Sequence, residues 1–253
     1  MREYFLFAVS SCLMLAGCAA SAPPTVYEPA SNGSVYSFYK NGYALGTAGN
    51  DSCRVIAELE PSKVAGRQYM RLWLLYYNSS NSPFLLDPVK AARLTASQSN
   101  GDTIELGATP PYKILASIDN QKTIAIIAQA IGGVAEAMQQ RPTSITNTWT
   151  GEQWQVNDTK EKTDMAVSKT NASIVTTSMI FDLYKQSVIA GIFRRNTIFP
   201  RQSVTGYIYF SLPYYDIYDP DAVHFDDYPD AVHVEIFTQG GELNFDFKRV
   251  KAE

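Results

Sequence analysis

Apolar residues recur at every second position through two long stretches of this 253-residue chain, and at every third or fourth position between them. A period of two sends side chains alternately to the two faces of a strand, whereas a period near 3.6 lines one face of a helix. The order strands, helices, strands therefore restricts the chain to a mainly β domain with an α insertion, an α+β class. In Arg54–Glu60, Val55, Ala57 and Leu59 share one face and Arg54, Glu58 and Glu60 the other. From Gln68 to Asn78 both registers are apolar, Met70, Leu72, Leu74 and Tyr76 against Tyr69, Trp73, Leu75 and Tyr77, which predicts a central strand covered on both sides. Phe84–Leu86 reads as a short strand. Val89–Ser97 and Thr103–Leu106 read as a hairpin turning at Asn100-Gly101. Near the C-terminus, Val232, Val234 and Ile236 should face Leu243, Phe245 and Phe247 across a hairpin closed by Gly240-Gly241.

Between the strand blocks, Ile124, Ile127, Ile131, Val134 and Met138 form a helical stripe in a segment expected to run from Asp119, as N-cap, to Gln140. Gly132-Gly133 within it marks a kink or a close helix contact. A second stripe takes in Met179, Ile180, Leu183, Tyr184, Val188, Ile189, Ile192 and Phe193. Residues 143–175 are polar and read as an irregular insertion, with a composition that also admits a third helix around Thr159–Val175. Neither long helix can stand alone, and each is expected to bury its stripe, most simply against the other. A docking surface for a partner envelope protein is the second use of such a stripe.

Two stretches resemble the immunoglobulin-like domains of bacterial envelope lipoproteins. They are Leu74–Ser80 followed by Phe84–Pro88, and Asn196–Phe210, where Arg201 stands in the place usually held by glycine. The resemblance implies an immunoglobulin-like antiparallel β-sandwich carrying a two-helix insertion at about 115–196, and implies no activity.

At the N-terminus, Leu15-Ala16-Gly17-Cys18 closes an apolar segment interrupted by Ser10, Ser11 and Cys12. Such a segment is marginal for crossing a hydrocarbon core about 30 Å thick. The order aliphatic, small, small, cysteine resembles the lipobox of bacterial lipoproteins. It implies a signal peptide at 1–17 and lipidation of Cys18; the small, Pro-containing residues that follow read as part of a tether over 18–30, and the order of elements as a single folded domain over 31–253. Two or more acyl chains would give a stable anchor. Residue 19 is Ala and not Asp, which in that family implies the outer membrane, and the periplasmic side is expected. With Cys12 removed and Cys18 acylated, Cys53 has no partner within the chain and should be a small buried residue on a strand.

The net charge of −4 argues against a nucleic-acid partner. No Gly-x-Ser-x-Gly elbow, His-Glu-x-x-His, phosphate loop or Cys-x-x-Cys occurs, so no enzymatic activity and no cofactor beyond the lipid is expected. The candidate site is the acidic, aromatic segment 213–230; Pro-Asp-Ala-Val-His occurs in it at 220–224 and again across its end at 229–233. Tyr214, Tyr215, Tyr218 and Tyr228 beside Asp216, Asp219, Asp221, Asp226 and Asp227 suit a glycan-binding surface. Asp221, His224 and Asp230 are the candidate metal ligands, with calcium as the cation that carboxylates would favour. The expected role is structural or interaction-based within the envelope. A glycan- or metal-binding module at 213–230 is the alternative.

Overall fold

The computed structural model describes residues 25–98, 101–146, 153–213 and 228–250. It is mainly β, with antiparallel sheets and a long helical insertion. One five-stranded sheet runs β1 (Val26–Pro29), β14 (Gly241–Val250), β13 (Ala231–Thr238), β7 (Ala92–Ser97), β8 (Thr103–Gly107). The other runs β12 (Ser203–Ser211), β5 (Arg67–Asn78), β4 (Cys53–Val64), β3 (Tyr43–Gly49), β2 (Tyr36–Lys40). A small ladder joins β6 (Phe84–Leu86) to β11 (Asn196–Ile198).

The two large sheets enclose one core. Val55, Ala57, Leu59, Met70, Leu72 and Leu74 come from one side, and Val232, Val234, Phe245 and Phe247 from the other. The expected C-terminal hairpin is present, pairing Val232 with Phe247, Val234 with Phe245 and Ile236 with Leu243, all six buried. Burying a large apolar side chain contributes about 1.5–3 kcal/mol, so this hairpin is a principal source of stability. Cys53 is fully buried on β4, as expected of a small apolar residue. Val26–Pro29, which the sequence assigns to a tether, pair with β14 and bury Tyr27.

Three local expectations change. Pro88–Ala91 form a helical turn, α1, and not the start of a strand, because the Asp87 carboxylate accepts from Val89 N–H at 3.2 Å and Pro88 has no N–H to lose. The first long helix, α2 (Pro111–Met138), starts eight residues before Asp119. It follows Pro110 with no side-chain cap, since a proline at the first helical position makes one orphan donor disappear. Residues 143–175 are regular. β9 (Thr143–Thr146) and β10 (Gln153–Val156) pair, and the second long helix, α3 (Thr159–Gly191), joins the suggested third helix and the second stripe in one element.

Arg201 adopts φ of 66°, the conformation a glycine would take there. Gln202 N–H donates to Phe199 C=O at 3.1 Å, so Phe199–Gln202 close a type II turn with Pro200 second and Arg201 third. The strained position is held from outside, since Arg201 N–H donates to Asn78 C=O at 2.9 Å.

Candidate functional site

α2 and α3 form an antiparallel hairpin rooted on the outer face of the β12-β5-β4-β3-β2 sheet. At the root, Ile114 and Ile118 of α2 and Val188 of α3 pack with Val64, Tyr69 and Tyr209 into a second core. Farther out, Asp119 binds Lys185 and Asp182 binds Lys122, each at 2.7 Å. Gln129 Nε2 then donates to Thr177 Oγ1 at 2.7 Å. At Gly133 the helices meet so closely that an added Cβ would stand 2.2 Å from Thr170 Oγ1. Gly133, and not Gly132, is thus the close helix contact anticipated from the glycine pair. Lys169 and Glu136 lie 3.7 Å apart farther out, and Lys162 Nζ donates to Arg141 C=O at 3.1 Å nearer the tip.

That geometry reverses the expected burial of the apolar stripes. α3 packs on the row of α2 that carries Lys122, Gln129 and Gly133, where a small residue permits close approach. The Ile stripe is turned to solvent instead, from Ile124 at 67% exposure to Met138 at 82%. The second stripe divides: Val188, Ile192 and Phe193 are buried at the root, while Met179, Ile180 and Leu183 are exposed. Residues 123–135 and 170–181, which face each other across the hairpin, contain no charged side chain. An uncharged belt therefore lies between the outer ion pair at Glu136 and the inner ones at Lys122 and Asp119. Along one flank runs a groove of about 310 Å³ lined by Gly133, Val134, Met138, Val167, Thr170 and Ile174. No helix among the described residues is long and apolar enough to cross a membrane.

A second concavity opens on the outer face of the same sheet. Strand register sets Tyr207 opposite Trp73 and Trp73 opposite Glu58, and in the adjoining row Tyr209 opposite Arg71 and Arg71 opposite Glu60. Glu58, Glu60, Arg71, Trp73 and Tyr207, with Tyr43 and Lys40 from the β2–β3 turn, border a cleft of about 370 Å³, while Tyr209 is buried in the second core. Arg71 is committed: its Nε and Nη2 both reach Glu60 Oε1, at 2.9 and 2.7 Å, and its guanidinium lies 4.3 Å from the centroid of the Tyr207 ring. Glu58 has no hydrogen bond or ion pair among the described residues. Its partial burial, reinforced by the neighbouring Glu60 charge and opposed by Arg71, lifts its carboxyl from the usual range to about 7.

Of the site anticipated at 213–230, Tyr214, Tyr215, Asp216, Tyr218, Asp219, Asp221, His224, Asp226 and Asp227 lie outside the described residues. Tyr228 is a half-buried ring packed against the main core, and its hydroxyl donates to Ser62 C=O at 3.2 Å. Asp230 lies 4.0 Å from Arg249. Cys18 also lies outside the described residues. His233, on the outer face of β13, is 2.7 Å from Asp246 across the strand pair. No group of three or more potential metal ligands occurs among the described residues.

The cleft escapes sequence reasoning because Glu58, Trp73 and Tyr207 come from three separate strands. Its one advance signal is the doubly apolar register of β5, which places Trp73 on the outer face. Comparison with known protein families, with characterised proteins and with solved structures finds no match for this chain.

Proposed function

We propose that this protein is a lipid-anchored scaffold of the bacterial outer membrane, held through Cys18 on the periplasmic side and joined to a second copy of itself through the helical hairpin. Its body would be an immunoglobulin-like β-sandwich, a reading supported by two antiparallel sheets around one core. The observation that carries the proposal is the exposed stripe Ile124, Ile127, Ile131, Val134 and Met138. Its spacing of three and four is that of a coiled-coil seam, and β-branched residues at both seam positions favour assemblies of more than two helices. Two hairpins supply four.

Self-pairing is favoured over another partner by charge. Lys122 and Glu136, which bound the belt on α2, are each paired with their own α3, leaving no bordering charge to select a partner of opposite field. The five residues of the stripe and Val167 are all exposed large apolar side chains, a surface of the kind that marks a protein interface. A membrane-surface helix would instead show lysine and arginine along its polar face.

The test uses two copies of the full chain with different tags, expressed together. Capture of one tag from solubilised envelopes should bring down the other. The double substitution I127E/I131E should reduce that co-capture at least about tenfold while leaving far-ultraviolet circular dichroism unchanged, because it buries four like charges in a two-copy seam. Absence of co-capture when both copies reside in one membrane would end the self-pairing proposal. Anchoring is checked separately: C18S should abolish the acylated N-terminal mass and move the protein to the soluble fraction or leave its precursor uncut. A C18S chain that is still cleaved and still sediments with membranes would end the anchor proposal.

A further inference from the structure

The geometry points to a binding site for an organic cation, an ammonium group on an apolar stem, in the cleft between Glu58, Trp73, Tyr43 and Tyr207. This inference is independent of the scaffold proposal. It begins with the charge arrangement. Two carboxylates face the cleft from β4, and Arg71 between them directs Nε and Nη2 to one oxygen of Glu60, with its remaining contacts to Tyr207 and Tyr209. Glu58 makes no hydrogen bond or ion pair among the described residues, and the charge of Arg71 only partly offsets those of the two carboxylates. Lys40, at the rim on the β2–β3 turn, makes no ion pair with either. A negative group held partly out of water beside a second negative group is costly unless a cation compensates it.

The walls support the same class of ligand. Trp73 lies beside Glu58 in the sheet register, with Tyr207 beyond it, and the face of Tyr207 already holds one cation, Arg71, at 4.3 Å. Aromatic faces attract ammonium groups through their quadrupole, the more so when water is partly excluded. The stem of such a ligand would lie along Trp73 and Leu45, as a lysine chain lies along an apolar surface. An anion would be repelled by both carboxylates. A neutral ligand would cover Glu58 without compensating it. The elevated titration of Glu58 agrees with an uncompensated site, and a bound cation would draw it back toward the ordinary carboxylate range.

The positions are rigid. Asn41 and Gly42 take φ of 54° and 85°, a two-residue hairpin turn that sets Tyr43 directly opposite Lys40. Trp73 and Arg71 sit on β5, paired on both sides along its length. Little ordering is left to be done when a ligand arrives, which favours even a small one.

The experiment titrates the detergent-solubilised full chain at pH 8 with n-pentylammonium, with the lysine tripeptide acetyl-Gly-Lys-Gly-amide, and with neutral n-pentanol, following the tryptophan indole N–H resonances by NMR. The resonance of Trp73 is assigned from W73F. Saturable shifts at Trp73 are expected with both cations, and E58Q, close in size and uncharged, should weaken them at least about tenfold. Tighter binding of the tripeptide assigns the site to a protein lysine, and tighter binding of pentylammonium to a free amine. Equal binding of n-pentanol, an E58Q affinity within about twofold of the parent, or no saturable shift would overturn the proposal. Because E58Q serves in the same micelles, partition of the amines into detergent is subtracted directly.

Discussion

Alanine in place of Asn78 is expected to lower the unfolding free energy by about 3–4 kcal/mol, among the largest effects open to a single polar side chain. Asn78 is fully buried and is the only polar side chain so enclosed among the described residues. Its Nδ2 donates to Ser82 C=O and Ile198 C=O, each at 2.9 Å, and its Oδ1 accepts from Ser80 N–H at 3.0 Å and Ser80 Oγ–H at 2.7 Å. The amide thus ties the end of β5 to the following turn and to β11. Its backbone also bonds Gln202 and Arg201. Truncation takes a donor from the buried bond to Ile198 C=O and opens a cavity, and both costs add to the lost bonds, while Ser82 C=O still accepts from Ser80 Oγ–H at 2.9 Å. For a domain of this size the melting temperature should fall by about 8–12 °C in calorimetry. N78D should do no better, because it keeps the acceptors and turns a carboxylate oxygen toward two carbonyls. A fall of less than about 1 kcal/mol for alanine would show that the turn and β11 hold together without this amide.

Valine at Gly206 is expected to cost about 2–3 kcal/mol for the opposite reason, overpacking. A Cβ there would stand 2.8 Å from the Cα of Phe193 and 3.0 Å from its Cβ. Phe193 is buried, and its N–H donates to Tyr207 C=O at 2.8 Å, so its backbone is not free to retreat. The chain leaving α3 would have to lift from β12, freeing Phe193 from the core. Calorimetry should register the loss of stability, and trypsin should cut faster at Arg194 and Arg195, which border the displaced segment. Unchanged cleavage together with an unchanged melting temperature would mean that the segment shifts at no cost.

These two positions also mark what could be seen in the residues alone. The β13–β14 register, the inward face of β4 and the burial of Cys53 all follow from alternation, because a strand with one wet face has only one acceptable side for its apolar set. The turn after Asn78 was visible in its polar composition, although the four bonds of one amide were not. Periodicity also located both helical stripes. It could not say which neighbour covers them, since α3 chose the row through Gly133, where the backbones come closest, over the row of isoleucines. The early start of α2 lay hidden in Pro110-Pro111, where the second proline begins the helix. Glu58, Trp73 and Tyr207 share a cleft only through strand order, and no local pattern encodes that order.

Both ends of the hairpin are fastened to neighbouring rungs of a single strand. Thr109 N–H donates to Tyr209 C=O at 2.7 Å on the way in, and Phe193 N–H to Tyr207 C=O on the way out. The arm therefore behaves as a cassette whose two terminals share one socket: a force applied at its tip reaches β12 through these two bonds, and β4 and β5 through Val64 and Tyr69 at the root. The same closeness means that a short linker could replace the whole arm and leave both large sheets with their partners intact.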